Sequence, residues 1–283
     1  MFSGGNALTR LLRDPMGAMG LILVVAFLTM AVAAPLLAPY DPVALNVVEK
    51  FQTPTLAHWA GTDQLGRDLL SRIMYGARTA LGIGVTSVGS AGLLGLLLGL
   101  IAGYGPRWLD ALLVLAFDSM SSLPMIMFAL AVITVLGPGT ITLILVVILV
   151  SIPGYARMIR AQTLTLAGSD FVLAERAMGA SSARIILRHL LPNVVGPLVI
   201  LLSMDIPVII MLEAGLSYLN LGVRPPTPSW GNILHDGYTS LRSAPYMVVI
   251  AGIPLVLSTL GFTFLGEGLR DALDPRMALR GRI

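Results

Sequence analysis

The 283-residue chain is 56% hydrophobic and only 12% charged, and it contains no cysteine. A soluble domain carries about 25% charged residues, so this composition excludes an ordinary water-soluble fold. The lack of cysteine excludes disulfides, thiolate metal sites and a cysteine nucleophile. The net charge of +3 is therefore interpreted against a lipid bilayer and not as a signal for nucleic-acid binding.

Six apolar stretches reach or approach the length of about 20 helical residues that a bilayer core requires. They cover residues 16–38, 79–104, 110–136, 139–156, 194–215 and 246–266. The sequence therefore predicts an all-α, polytopic membrane protein with about six transmembrane helices. The first stretch also has features of a secretory signal, with Ala31–Ala33 as a cleavage site, but its length favours a retained helix.

Positive charges predict the orientation, since arginine and lysine concentrate on the cytoplasmic side of a membrane. Cytoplasmic termini place 12 of the 18 positive residues inside. The chain then divides into an N-terminal part (1–78), a transmembrane core (79–270) and a cytoplasmic tail (271–283). The core contains a cytoplasmic loop, residues 157–192, and an outer loop, residues 216–245. We call residues 40–78 and 216–245 the outer segments, after their predicted side.

The second apolar stretch carries a row of small residues spaced four apart. Small residues on one helix face let another backbone approach closely. We expect this face to pack against another helix of the same chain, with a contact to another subunit as the alternative. The row consists of Ser87, Ala91, Gly95, Gly99 and Gly103.

The cytoplasmic loop predicts two short helices, which we call the helix pair (residues 169–192). Ser169 is a candidate N-cap, Gly179 a candidate C′ residue, and Ser181 or Ser182 a candidate cap of the second helix, which should stop before Pro192. Gly179 should tolerate little bulk. The alternative is an amphipathic pair that lies along lipid headgroups.

Some carboxylates fall within predicted spans, where ionisable groups are costly and often line pathways. Asp118, Asp205 and Glu213 either face a translocation pathway or bind neighbouring hydroxyl or amide groups. Trp59, Trp108 and Trp230 lie near span ends, where interfacial anchoring is the usual role of tryptophan.

The sequence predicts no catalytic residue and no metal site. The single lysine, Lys50, follows Glu49 and not a glycine-rich turn, so a phosphate-binding Walker A loop is excluded. The three histidines have no metal-ligand spacing. Any ATP hydrolysis has to come from another polypeptide.

The helix pair resembles the coupling motif of binding-protein-dependent ABC importer permeases. Gly179 and Leu191–Pro192 match that motif, whereas its Glu-Ala-Ala falls on residues 173–175, which read Leu-Ala-Glu. Four further segments are similar to the C-type subunit of the dipeptide, oligopeptide and nickel permeases. They are residues 58–68, 188–193, 225–231 and 268–276.

The resemblance implies a type I ABC importer permease in the bacterial inner membrane. Its expected partners are a homologous permease, two ABC ATPase subunits that hold ATP and magnesium, and an extracytoplasmic solute-binding protein. This chain itself would hold no cofactor. Peptides are the expected solute. Nickel or another small solute, an ion-coupled secondary transporter and a structural membrane subunit are the alternatives.

Residue roles follow from the same resemblance. It implies contact with the ATPase for Asp170, Phe171, Ala174, Glu175, Gly179, Ala180, Ser181, Arg184 and Pro192. It implies docking of the solute-binding protein for Trp59, Asp63, Arg67, Asp68, Pro226 and Trp230.

Overall fold

The computed structural model describes residues 4–273, and these are predominantly helical. The helices are α1 (Gly4–Arg13), α2 (Pro15–Leu37), α3 (Leu69–Tyr104), α4 (Arg107–Ser121), α5 (Met125–Leu136), α6 (Thr140–Ala167), α7 (Asp170–Ala177), α8 (Ser182–Ile185), α9 (Leu191–Tyr218), α10 (Trp230–Thr239) and α11 (Tyr246–Leu273). The predicted all-α class is confirmed. The predicted tail, residues 271–283, lies outside the described residues from position 274 onward.

Five helical stretches of the described chain are long and apolar enough to cross a membrane. They are Pro15–Leu37, Leu69–Tyr104, Thr140–Ala167, Ser182–Tyr218 and Tyr246–Ala272. The pair α4 and α5 makes a sixth if it is counted as one span. This agrees with the prediction of about six transmembrane helices.

The third apolar stretch is bent, whereas the sequence suggested one span over residues 110–136. Its two halves, α4 and α5, meet at an angle of 85°. The break precedes Pro124, whose ring disfavours helical geometry at Leu123 and removes one backbone donor. Phe128 N donates to Pro124 O at 3.0 Å, so the helical hydrogen bonds of α5 begin at the proline.

Two other prolines do not end their helices. Helix α6 continues through Pro153, although the sequence suggested an interruption there. The second helix of the pair was predicted to stop before Pro192, and this prediction is wrong, because a π-helical turn (Ile186–Leu190) joins α8 directly to α9. The wider turn lets Leu191 N reach Ile186 O, and Asn193 Nδ2 donates to His189 O at 2.6 Å. These two bonds give Ile186 O and His189 O partners in the turn that precedes Pro192.

The described chain forms two compact units, each with its own core. The first comprises the chain up to Val85, Ile133–Leu143 and the chain from Ser203 onward. In it α2 packs against α11 so closely that a Cβ on Gly261 would lie 2.8 Å from Leu23 Cβ. Trp230 is fully buried there. Its ring meets Phe27 edge-on at 5.8 Å, and its Nε1 donates to Ile73 O at 3.0 Å.

The second unit comprises Thr86–Val132 and Ile144–Leu202, and its core depends on the row of small residues in α3. A Cβ on Gly99 would lie 2.6 Å from Ala156 O, and one on Gly103 would lie 2.6 Å from Thr163 Cβ. Both partners belong to α6. The predicted intrachain helix contact is therefore confirmed.

We predict that Gly99→Ala destabilises the protein, because the added methyl group would push α6 away from α3. Gly89→Ala is the matched control, since it lies on the same helix and nothing lies within 4 Å of its Cβ position. The loss of a glycine affects helix propensity equally in both variants. Thermal unfolding of the purified membrane complex should show a lower midpoint for Gly99→Ala. Equal midpoints would contradict the close α3–α6 contact.

Candidate functional site

The outer segments are joined by a buried network of charges. Two carboxylates bridge two guanidinium groups. Asp63 Oδ2 lies 2.6 Å from Arg67 Nε and 3.4 Å from Arg72 Nη1. Asp236 Oδ2 lies 3.3 Å from Arg67 Nη2 and 3.4 Å from Arg72 Nη2. Asp63 is fully buried, and the two arginines are 7% and 3% exposed. Burial raises the pKa of the Asp236 carboxyl above its ordinary value, although both guanidinium groups oppose that shift.

A second polar cluster fixes the beginning of α3. Asp68 accepts hydrogen bonds from Ser71 N at 2.8 Å and Ser71 Oγ at 2.7 Å, which satisfies donors of the first helical turn. The other carboxylate oxygen lies 2.9 Å from His58 Nδ1, and the second ring nitrogen of His58 lies 3.4 Å from Glu49 Oε2. Tyr40 stacks against His58 with ring centroids 4.7 Å apart. These contacts make one folded piece of the first outer segment.

The docking prediction needs revision, because four of its six side chains are buried. Asp63 and Trp230 are fully covered, and Arg67 and Asp68 are 7% and 3% exposed. These side chains hold the outer segments together and offer no surface to a partner. Trp59 remains 71% exposed. Pro226 is also exposed.

The three carboxylates in the spans have different surroundings. Asp118 is exposed and pairs with Arg157 Nη1 at 3.2 Å. Asp205 is half-buried on α9. Glu213 is 1% exposed, so its assignment to a translocation pathway is revised. Its Oε1 accepts from Ser217 Oγ and Ser229 Oγ, both at 2.7 Å.

The Glu213 contacts organise the second outer segment. Ser229 Oγ donates to Glu213 and accepts from Gly231 N at 3.2 Å, which caps α10. Ser217 Oγ likewise donates to Glu213 and accepts from Val223 N at 3.0 Å. This buried carboxylate therefore fixes both ends of the stretch between α9 and α10.

The turn in the helix pair is closed by backbone hydrogen bonds. Ala180 N donates to Glu175 O and Gly179 N to Arg176 O, each at 3.0 Å, the pattern of a Schellman motif. Gly179 has φ +84°, which only glycine adopts without cost. Nothing lies within 4 Å of its Cβ position, so the expected intolerance of bulk is replaced by a requirement for left-handed backbone.

The predicted N-caps of α7 and α8 are found in part. Ser169 occupies the N-cap position of α7 without a side-chain cap bond. Ser181 caps α8, accepting from Arg184 N at 3.4 Å. Only Met178–Ser181 separate α7 from the continuous helix that begins at Ser182. A displacement of α7 would thus reach α9 through four residues.

One face of the helix pair is anchored and the other is open. Val172 and Leu190 are fully buried, and Ile185 is 1% exposed, within the core of the second unit. Phe171 and Met178 are 46% and 76% exposed. Of the predicted ATPase-contact residues, those exposed are Asp170, Phe171, Ala174, Gly179, Ser181, Arg184 and Pro192, and those half-buried are Glu175 and Ala180.

Several charged residues that shape these sites were not predicted from the sequence. Arg160 holds Asp110 in a bidentate pair at 2.5 and 2.7 Å, which ties α6 to α4 near the helix pair. Arg72 and Asp236 complete the outer charge network. Their charge in a chain with only 12% charged residues could have marked them as candidates for buried ion pairs. Their partners could not be identified, because they are distant in the sequence.

We predict that Asp63→Asn destabilises the outer segments, because two buried guanidinium groups would then share one carboxylate. Breaking a buried ion pair by removing one partner costs about 3–5 kcal/mol. Asp41→Asn is the control, since its exposed carboxylate accepts from Val43 N at 2.9 Å and is not part of the network. Limited proteolysis should cut the outer segments faster in Asp63→Asn. Identical cutting rates in the two variants would refute this role of the network.

Comparison with known proteins agrees with this geometry. Residues 95–279 match the family described as the binding-protein-dependent transport system inner membrane component. Residues 4–54 match the N-terminal transmembrane domain of oligopeptide transport permease C. A chain in the structure of the methionine ABC transporter MetNI has a similar fold, with TM-score 0.57 and 19% identity over 72% of this chain and 97% of that one.

Curated relatives extend over nearly the whole chain. The dipeptide transport system permease protein DppC of Alkalihalophilus pseudofirmus is 38% identical over 96% of this chain and 90% of its own length. The di/tripeptide permease DppC of Pseudomonas aeruginosa is 38% identical over 91% and 87%. The glutathione permease GsiD of Pectobacterium atrosepticum is 36% identical over 95% and 89%. The chain therefore belongs to the family of binding-protein-dependent transport system inner membrane components.

Proposed function

We propose that this chain is a membrane subunit of an ATP-driven importer of dipeptides and oligopeptides. The observation that carries the proposal is the helix pair, which is anchored on one face and open on the other. Within it, four residues separate α7 from the continuous helix that α8 and α9 form. The relatives that match nearly the whole chain are named as dipeptide, di/tripeptide or glutathione transport permeases, and these names support a peptide solute. Nickel or another small solute is the remaining alternative.

The proposed complex contains further chains. A homologous permease would complete the translocation pathway, two ATPase subunits would bind ATP and magnesium, and a solute-binding protein would deliver peptides from outside. Exposed Phe171 and Met178 provide apolar area for the ATPase contact. Exposed Trp59 and Pro226 are the docking residues that we retain for the binding protein. Asp118 and Asp205 are the retained candidates for the pathway.

Movement would pass from the ATPases to the spans through the helix pair. When the ATPases close, α7 is displaced, and the Schellman turn transmits that displacement to α8 and α9. Helix α6 moves with them, since Gly168 and Ser169 alone separate it from α7. The Asp110–Arg160 pair would carry α4 along. The pathway then opens alternately to the two sides.

The proposed location is the bacterial inner membrane, with both termini in the cytoplasm. The distribution of arginine supports this orientation, since 12 of 18 positive residues then lie inside. The ranges matched by the two families, 4–54 and 95–279, support the division into an N-terminal part (1–78) and a transmembrane core (79–270).

Reconstitution tests the proposal directly. The chain is produced together with a homologous permease, two ABC ATPase subunits and a solute-binding protein from the same organism, and the complex is placed in vesicles with ATP. We expect labelled dipeptides and tripeptides to accumulate only when ATP and the binding protein are present. Accumulation driven by an ion gradient without ATP would overturn the ABC mechanism, and accumulation of nickel without peptides would overturn the solute assignment.

Substitution of Gly179 tests the coupling role of the turn. Gly179→Val should uncouple ATP hydrolysis from uptake, because a non-glycine residue in left-handed backbone costs about 1–2 kcal/mol and a β-branched one is the least tolerant. Gly179→Asn should retain most coupling, since asparagine adopts this geometry more readily. The measurement is peptide imported per ATP hydrolysed.

Gly168→Val is the matched control for this series. It lies at the other end of α7, where an added Cβ would make only ordinary contacts, at 3.7 Å from Leu164 O. We expect near-normal coupling in this variant. If Gly179→Val also couples normally, or if Asn and Val at position 179 behave alike, the backbone requirement does not govern coupling.

A further inference from the structure

The second unit has an apolar groove that the proposed transport mechanism does not use. It has a volume of about 450 Å³ and lies beside the end of α3, the turn into α4 and the beginning of α8. Two of its residues, Leu97 and Ile101, are 49% and 44% exposed. Its lining consists mainly of Leu97, Leu100, Ile101, Tyr104, Leu109 and Ile186.

A positive charge is held at the rim of this groove. The guanidinium carbon of Arg176 lies 4.9 Å from the ring centroid of Tyr104, and Arg176 Nε donates to Tyr104 OH at 3.3 Å. Because Tyr104 lines the groove, these two contacts position the cation beside it. In the described part of the chain no acidic side chain pairs with Arg176, so its terminal nitrogens are available to an anion.

The groove lies at the end of a candidate membrane span. Helix α3 ends at Tyr104, and Arg107 and Trp108 follow in exposed positions. Tryptophan side chains favour the level of lipid headgroups, and arginines favour the cytoplasmic side. The predicted orientation also places this end of α3 in the cytoplasm. An acyl chain and its headgroup meet at this depth.

We propose that the groove binds an anionic phospholipid of the cytoplasmic leaflet. An acyl chain packs against Leu97 and Ile101, and the phosphate contacts Arg176. Basic sites between membrane helices on the cytoplasmic side favour anionic headgroups over neutral ones. A helix of another subunit would fill the apolar groove but would not explain the cation at its rim. The proposal does not depend on which solute is carried, but it rests on the proposed cytoplasmic orientation, and the site includes Arg176 of α7 and Ile186 of the helix pair.

Photolabelling of the purified complex in nanodiscs tests this site. The probes are phosphatidylglycerol and phosphatidylcholine that carry the same photoreactive acyl chain, and labelled peptides are mapped by mass spectrometry. We expect phosphatidylglycerol to label residues 97–109 more strongly than phosphatidylcholine does. Arg176→Gln should lower labelling by phosphatidylglycerol about fivefold, which is the effect of one positive charge near an anionic surface. Labelling by phosphatidylcholine should not change.

Matched variants separate the two parts of the site. Leu97→Trp should fill the groove and reduce labelling by both probes, whereas Leu93→Trp, an exposed position one turn earlier on α3, should not. Arg242→Gln removes an exposed charge from an outer segment and should have no effect on groove labelling. Only complexes that elute at the size of the wild type are compared.

Two results would overturn the proposal. Equal labelling by the two probes, unaltered by Arg176→Gln, would mean that the groove is ordinary lipid-exposed surface. Absence of label from residues 97–109, with crosslinks from the groove to another subunit, would mean that a protein segment occupies it.

Discussion

The direct contact between α3 and α6 is the constraint on which the second unit depends. Gly95, Gly99 and Gly103 leave no space for a side chain between the two helices, so α6 has one position relative to α3. The buried residues of the helix pair pack into the core that this contact creates. In lipid, helices associate through close packing and not through the hydrophobic effect. Small residues therefore determine where the exposed face of the pair points.

The first unit contains long connections outside the spans. Charge pairs and hydrogen bonds hold these connections in a fixed arrangement. Asp63 and Asp236 join the two outer segments through shared arginines, and Glu213 fixes the stretch that leads from α9 into α10. In the charge network each guanidinium group faces two carboxylates, since an isolated buried charge is costly.

The sequence predicted the features that depend on local pattern. Span positions follow from apolar length, the α3 face from four-residue spacing, and the Gly179 turn from glycine at a C′ position. It did not predict the continuity of α9 through Pro192, because that depends on a π-helical turn and on a side chain bond from Asn193. Nor could it show that Trp230 is buried, since its contacts Phe27 and Ile73 are distant in the sequence.

The order of the outer segments has a consequence for the maturation of the protein. Secreted and surface domains often obtain such order from disulfides, but this chain has no cysteine. The fold of the segment from Tyr40 to Ser71 rests instead on charge pairs, hydrogen bonds and the packing of Tyr40 on His58. Its assembly therefore needs no thiol-oxidising catalyst, and reducing agents leave every covalent bond that supports it intact.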